Sequence, residues 1–97
     1  MYRSERVVNP SAIVAVRLSQ SPLKVRNCVI AALPLNTINV AIGGGNVSSG
    51  GLTWAGIPLG PGQREIFAGP EPIDISEVWM VPGVGGEGIV WSGDVVN

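Results

Sequence analysis

Short runs of β-branched and aliphatic residues alternate with proline, glycine and polar residues along this chain. Residues 13–18 and 25–30 are rich in Val and Ile and read as strands. Residues 38–42 give the clearest alternation, which predicts Ile38, Val40 and Ile42 on one face. Further strands are predicted over residues 64–67, 77–81 and 88–91. Pro10, Pro22 and Pro34 recur every 12 residues, close to the punctuation of a sandwich or barrel. Pro61-Gly62 fits the two central positions of a type II turn. Gly85-Gly86 reads as a hairpin turn joining the last two strands. No window carries a sustained helical period. The pattern therefore predicts an all-β fold, a small antiparallel β-sandwich or flattened barrel of six to eight strands.

Composition sharpens this picture. The 97 residues suffice for one domain spanning 1–97. A chain of this size buries only about 60–65% of its unfolded surface. Yet 45% of residues are hydrophobic and 13% charged, about half the usual charged share. That combination excludes the highly charged disordered class. It leaves apolar surface that a thin core does not hide, so burial against other subunits is expected. The net charge of −1 conceals a split. Residues 1–26 carry five cations and one acid, whereas residues 27–97 carry Arg64 and six acids. The charges either scatter over one surface, or a basic N-terminal arm meets an acidic face of a neighbour.

Candidate chemistry is sparse. There is no histidine and one cysteine, Cys28, so the usual zinc and copper ligand sets do not form within one chain. No metal, cofactor or catalytic residue is assigned. Nucleophilic catalysis lacks a histidine base. Asp74 and Glu77 read as turn-capping or rim charges rather than a catalytic pair. Gly43-Gly44-Gly45-Asn46 lacks the following helix and lysine of a phosphate loop and reads as a hairpin loop. The longest apolar run, Cys28 to Leu35, is far short of the ~20 residues of a membrane helix. The first residues lack the apolar stretch of a secretory signal. No nucleic-acid motif or aromatic interleaving accompanies the cations. Trp79 and Trp91 lie in predicted strands and read as core. Trp54 lies among glycines and reads as local packing, a subunit contact or a sugar-stacking platform.

A strand ending Val40-Ala41-Ile42-Gly43-Gly44-Gly45-Asn46-Val47-Ser48 is followed, after a loop, by Gly56-Ile57-Pro58-Leu59-Gly60-Pro61-Gly62-Gln63. With Ile75-Ser76-Glu77-Val78-Trp79-Met80-Val81 and a last strand containing Trp91, this resembles small β-rich virion proteins of tailed bacteriophages. The likeness runs from Ile38 to Trp91. The longer, Trp54-bearing loop over residues 49–55 and Gly60 depart from it. The resemblance implies a capsid decoration or cement protein, made in the host bacterial cytoplasm and located in the virion. Its partners would be the major capsid protein or other virion subunits, with a homo-oligomer, a trimer foremost. A minor tail or baseplate component and a small carbohydrate-binding module are the alternatives. Residues 1–10 are expected as a docking arm or, failing that, an integral strand. Arg3, Arg6, Val7, Val8, Asn46, Trp54, Ile57 and Leu59 are the expected subunit or partner contacts.

Overall fold

In a computed structural model, residues 1–50 and 54–96 are described. They form nine strands: β1 (Tyr2–Val8), β2 (Val16–Arg17), β3 (Lys24–Ala32), β4 (Val40–Gly43), β5 (Ile57–Leu59), β6 (Arg64–Phe67), β7 (Ile73–Asp74), β8 (Trp79–Pro82) and β9 (Gly88–Val95). One sheet runs β1-β9-β3-β6, with β7 also pairing β3; the other runs β2-β8-β4-β5. All pairings are antiparallel, and the two sheets face each other as a small β-sandwich.

The core lies between the sheets. Val25, Cys28 and Ile30 of β3 and Ile89 and Trp91 of β9 meet Val40 and Ile42 of β4, Leu59 of β5 and Met80 of β8. Period-two alternation puts Ile89 and Trp91 inside, while Val90 and Ser92 face outward. In β3 the buried residues 25 and 28 break that parity. Asn27, at φ 50, sits in a register shift between Arg26 and Val29. The extra residue of this bulge returns Cys28 to the inner face, and asparagine tolerates the left-handed conformation better than most side chains.

Three expected elements change. Ile38 precedes β4 and is exposed, so only Val40 and Ile42 share the inner face. The run 13–18 contributes a strand only at Val16–Arg17, with Leu18 buried and Ile13 and Val14 exposed. The Gly85-Gly86 turn joins β8 to β9, which belong to different sheets, so it is a crossing between layers and not a hairpin. The type II turn stands as expected: Gly62 has φ 77 and the Gln63 N–H donates to Gly60 O at 2.9 Å.

Residues 1–10 are not a detached arm. Residues 2–8 pair one to one with β9, Tyr2↔Asp94 through Val8↔Gly88. This is the integral-strand alternative, and it makes β1 an edge of the larger sheet. Arg3 and Glu5 share the inner-face parity of Val7 and pair with each other at 2.6 Å. Inward-pointing charges on an edge strand oppose pairing with another chain's edge.

A second, smaller cluster covers the outer face of the β2-β8-β4-β5 sheet. Ala41 and Val81 face outward there and are fully buried beneath Val47, packed with Ala15, Trp54 and Trp79. Residues 47–49 and 54–55, after β4, fold back as a flap, held by the Ser48↔Ala55 bridge and by the Ser49 hydroxyl, which donates to Pro82 O at 2.9 Å with Ala12 O at 3.2 Å as its alternative acceptor.

Candidate docking surface

At one end of the sandwich the β1, β3 and β8 strands terminate, and the connections 9–14, 33–39 and 83–87 come together. These connections are knitted by polar bonds. The Asn9 N–H donates to Glu87 O, and the Gly86 N–H donates to Asn9 O. The Asn9 side chain donates to Val14 O at 2.8 Å and accepts from the Ser11 N–H at 2.9 Å. The Asn36 side chain donates to Gly88 O at 2.8 Å and accepts from the Gly88 N–H at 3.3 Å. Glu87 Oε2 accepts from both the Thr37 N–H and Thr37 Oγ1. Asn9 and Asn36 are the only buried polar side chains among the described residues, and both hold this pole. Gly88 is required here, because a Cβ would run into the backbone of Val7 and Val8 across the strand pair.

What these loops present is apolar. Leu35 is 92% exposed, Ile13 89%, Val14 65% and Ile38 51%; Val8 and Val84 are also exposed. Together they form apolar surface on the order of several hundred Å², a size at which patches on soluble monomers tend to be functional. Glu87 is the one charged residue in the three connections. An open groove of about 510 Å³ adjoins the pole, lined by Thr37, Ile38, Asn39, Ser49, Trp54 and Pro61. Loops pinned in this way, with large aliphatic side chains held in water, would lose little ordering entropy on contact with a partner.

The expected contact residues do not form one surface. Leu59 is 3% exposed and belongs to the main core, and Val7 packs against that core; neither is free to meet a partner. Arg3 faces inward with Glu5, whereas Arg6 and Val8 lie on the outer side of β1. Of this group, Val8 alone reaches the apolar pole. Asn46 is exposed in the turn after β4, at the opposite end of the smaller sheet, where the Val47 N–H donates to Gly44 O. Ile57 is part-exposed on the edge strand β5. Trp54 packs over the second cluster, and its indole N–H donates to Gly56 O at 3.1 Å. Residues 51–53 of the expected glycine-rich loop lie outside the described residues.

From the sequence, Ile13, Val14 and Ile38 are expected in strands and, of the pole, only Val8 is expected as a contact. The available signal was their setting: Leu35 stands between Pro34 and Asn36, Val84 between Gly83 and Gly85, and Ile13-Val14 just after Pro10-Ser11. Here that setting marks the connections, although Leu59, between Pro58 and Gly60, is drawn into β5 and buried.

The remaining candidate groups have structural roles. Asp74 Oδ1 accepts from Ser76 Oγ, the Ser76 N–H and the Leu23 N–H, capping a single 3-10 turn at Ile75–Glu77. The bonds from Ser76 and Leu23, with Lys24 nearby, hold its pKa below the ordinary 3.8. Burial pushes the Cys28 thiol up to about 11. Among the described residues no three potential ligand side chains gather to hold a metal ion, and no helix is long and apolar enough to cross a membrane. Comparison with family models, curated proteins and solved structures finds no match to this chain.

Proposed function

We propose that this chain is a structural protein of a bacteriophage particle, of the capsid decoration or cement type, and that it docks through its apolar pole onto neighbouring shell subunits. The observation that carries the reading is the pole itself: the buried side-chain amides, Asn9 and Asn36, fix loops whose exposed residues are Ile, Leu and Val. The resemblance of residues 38–91 to small virion proteins supports the phage setting. Contacts of this kind are individually modest. A standard interface buries about 800 Å² per partner, and the total surface of the described chain is 5474 Å². Repetition by shell symmetry turns such contacts into firm attachment. Homo-oligomers, a trimer foremost, belong to the same reading.

Trp54 was the residue on which a carbohydrate-binding module would rest. Its ring packs on its own domain and its N–H is bonded internally, which favours the assembly reading. The test is cosedimentation of the purified chain with empty shells of the phage whose genome encodes it. Wild type is expected to pellet with shells, while Leu35→Asp and Ile13→Asp, both at exposed positions and so able to fold, stay in the supernatant. Failure of wild type to pellet, or pelleting of both variants at the wild-type level, overturns the proposal.

A further inference from the structure

The outer face of the larger sheet is a second surface with a different chemistry. Register sets its rows. Arg6 pairs with Val90, Val90 with Ala31 and Ala31 with Arg64, so one row across four strands has an arginine at each end and small apolar residues between. The next row is Ser4, Ser92, Val29 and Ile66, with Ile66 59% exposed. Beyond it Arg26 stands opposite Asp94. Two acids share this face and both are engaged. Asp94 takes the Met1 amino group at 2.8 Å, and Asp74 accepts three hydrogen bonds beside Lys24. Neither ion pair among the described residues involves Arg6, Arg26 or Arg64. Arg26 makes one long bond to Pro70 O at 3.4 Å.

We infer that this sheet face is a docking surface for an acidic protein segment, separate from the apolar pole. Three exposed guanidinium groups without a carboxylate partner set the sign of the occupant. The arrangement within the face sets its class. An apolar centre of Val29, Ala31, Val90 and Ile66 with arginines at its margin has the anatomy of a protein interface. A polyphosphate backbone needs cations along its track and aromatics for the bases, whereas this face has its arginines at the margins and a single exposed aromatic, Tyr2, at the β1 edge opposite Asp94. Strand spacing puts the terminal arginines of the row about 14 Å apart, so an extended or flat partner with acids at its two margins and aliphatics between them fits. The pole lies at the strand ends and the arginine face across the strands. One small domain thus carries two docking surfaces, one apolar and indifferent to salt, the other electrostatic and weakened by it. A chain so built bridges two unlike neighbours. This goes beyond the pole reading and is tested without shells.

The test measures fluorescence anisotropy of a labelled peptide alternating glutamate and valine, with a single-stranded oligonucleotide of equal charge as the second probe. At about 50 mM salt the peptide is expected to bind more tightly than the oligonucleotide, and about 500 mM salt is expected to abolish binding. The double variant Arg6→Gln, Arg64→Gln is expected to weaken peptide binding about tenfold or more. Arg17→Gln removes a cation from the other sheet and is expected to leave it within about twofold; unchanged circular dichroism confirms folding in each case. No peptide binding by wild type, tighter binding of the oligonucleotide, or an equal loss in Arg17→Gln overturns the inference. None of these outcomes bears on whether Leu35→Asp abolishes shell attachment, so the two proposals fail separately.

Discussion

Asn36 offers the sharpest test of how the apolar pole is held. Its side chain is 7% exposed and bonds both polar groups of Gly88, donating at 2.8 Å to the carbonyl and accepting at 3.3 Å from the N–H. Asn36→Ala removes both bonds. The Gly88 carbonyl keeps the Leu33 N–H at 3.1 Å, but the N–H loses its side-chain acceptor. Loss of a buried partner costs about 1–3 kcal/mol. For a domain of this size, about 5 °C of melting temperature corresponds to each kcal/mol, so a fall of about 5–15 °C is expected. Asn36→Asp is worse at neutral pH, because the new carboxylate places an acceptor where the amide donated and buries a charge without a partner. Its folded-state pKa is raised above the ordinary Asp value by burial and by the facing carbonyl. The extra destabilisation is therefore present above that raised pKa and fades as pH falls through it toward about 3.9, where the protonated carboxyl donates to Gly88 O. Thermal melts of wild type and both variants between pH 7 and pH 4 supply the comparison. A melting temperature of Asn36→Ala within about 2 °C of wild type, less than about 0.5 kcal/mol, refutes the reasoning. So does an Asp variant whose deficit does not shrink on acidification.

Other outcomes follow from the same structure. Asp74 has a lowered pKa, so its contribution to stability is present above the unfolded value of 3.8 and lost as pH falls through the folded one; Asp74→Ala should melt below wild type at pH 7 and converge with it in acid. Cys28, buried with its thiol pushed up to about 11, should resist a thiol reagent at pH 8 in the native protein and react fully in denaturant; rapid native labelling would contradict its placement in the core. Trp54→Ala uncovers Ala41 and Val81 and should cost about 2–3 kcal/mol, somewhat below the full core value because the ring is only part-buried; a denaturant titration reads this. Arg17 lies 5.0 Å from the Trp79 ring centroid, and Arg17→Ala should cost about 0.5–1 kcal/mol.

Much of the sheet architecture was legible because alternation and turn chemistry act locally. Val40 and Ile42, the Pro61-Gly62 turn and the strands at 64–67 and 88–91 each follow from a few neighbouring residues. The failures are non-local. Gly85-Gly86 turns the chain but not into the expected hairpin, because which sheet receives the next strand depends on Ile89 and Trp91 facing the same core as Met80 from the opposite side. The bulge at Asn27 is a parity correction that only the pairing with β9 reveals. Arg3 and Glu5 looked like the charges of an arm; pairing of β1 with β9 makes them a guard on a sheet edge. At the pole, hydrophobicity and burial part company: Ile13, expected in a strand, and Leu35, the end of the longest apolar run, both stand in water.

The flap explains how so small a domain tolerates that separation. A two-layer sandwich ordinarily buries one face of each sheet. Here β4 is buried on both: Val40 and Ile42 against the main core, Ala41 beneath Val47 and Trp54. A fully buried valine such as Val81 contributes about 1.5–3 kcal/mol and the methyl of Ala41 about 0.8 kcal/mol, a substantial part of the 5–15 kcal/mol by which domains are stable. The second cluster therefore supplies stability that the six exposed side chains at the pole do not. If that division is right, stability and attachment are separable by mutation. Val47→Ala, which thins the flap cluster, should lower the melting temperature while leaving shell binding of the folded fraction intact. Leu35→Asp should abolish binding with a melting temperature within a few degrees of wild type. A Leu35→Asp variant that unfolds as readily as Val47→Ala would mean that the pole belongs to the core after all.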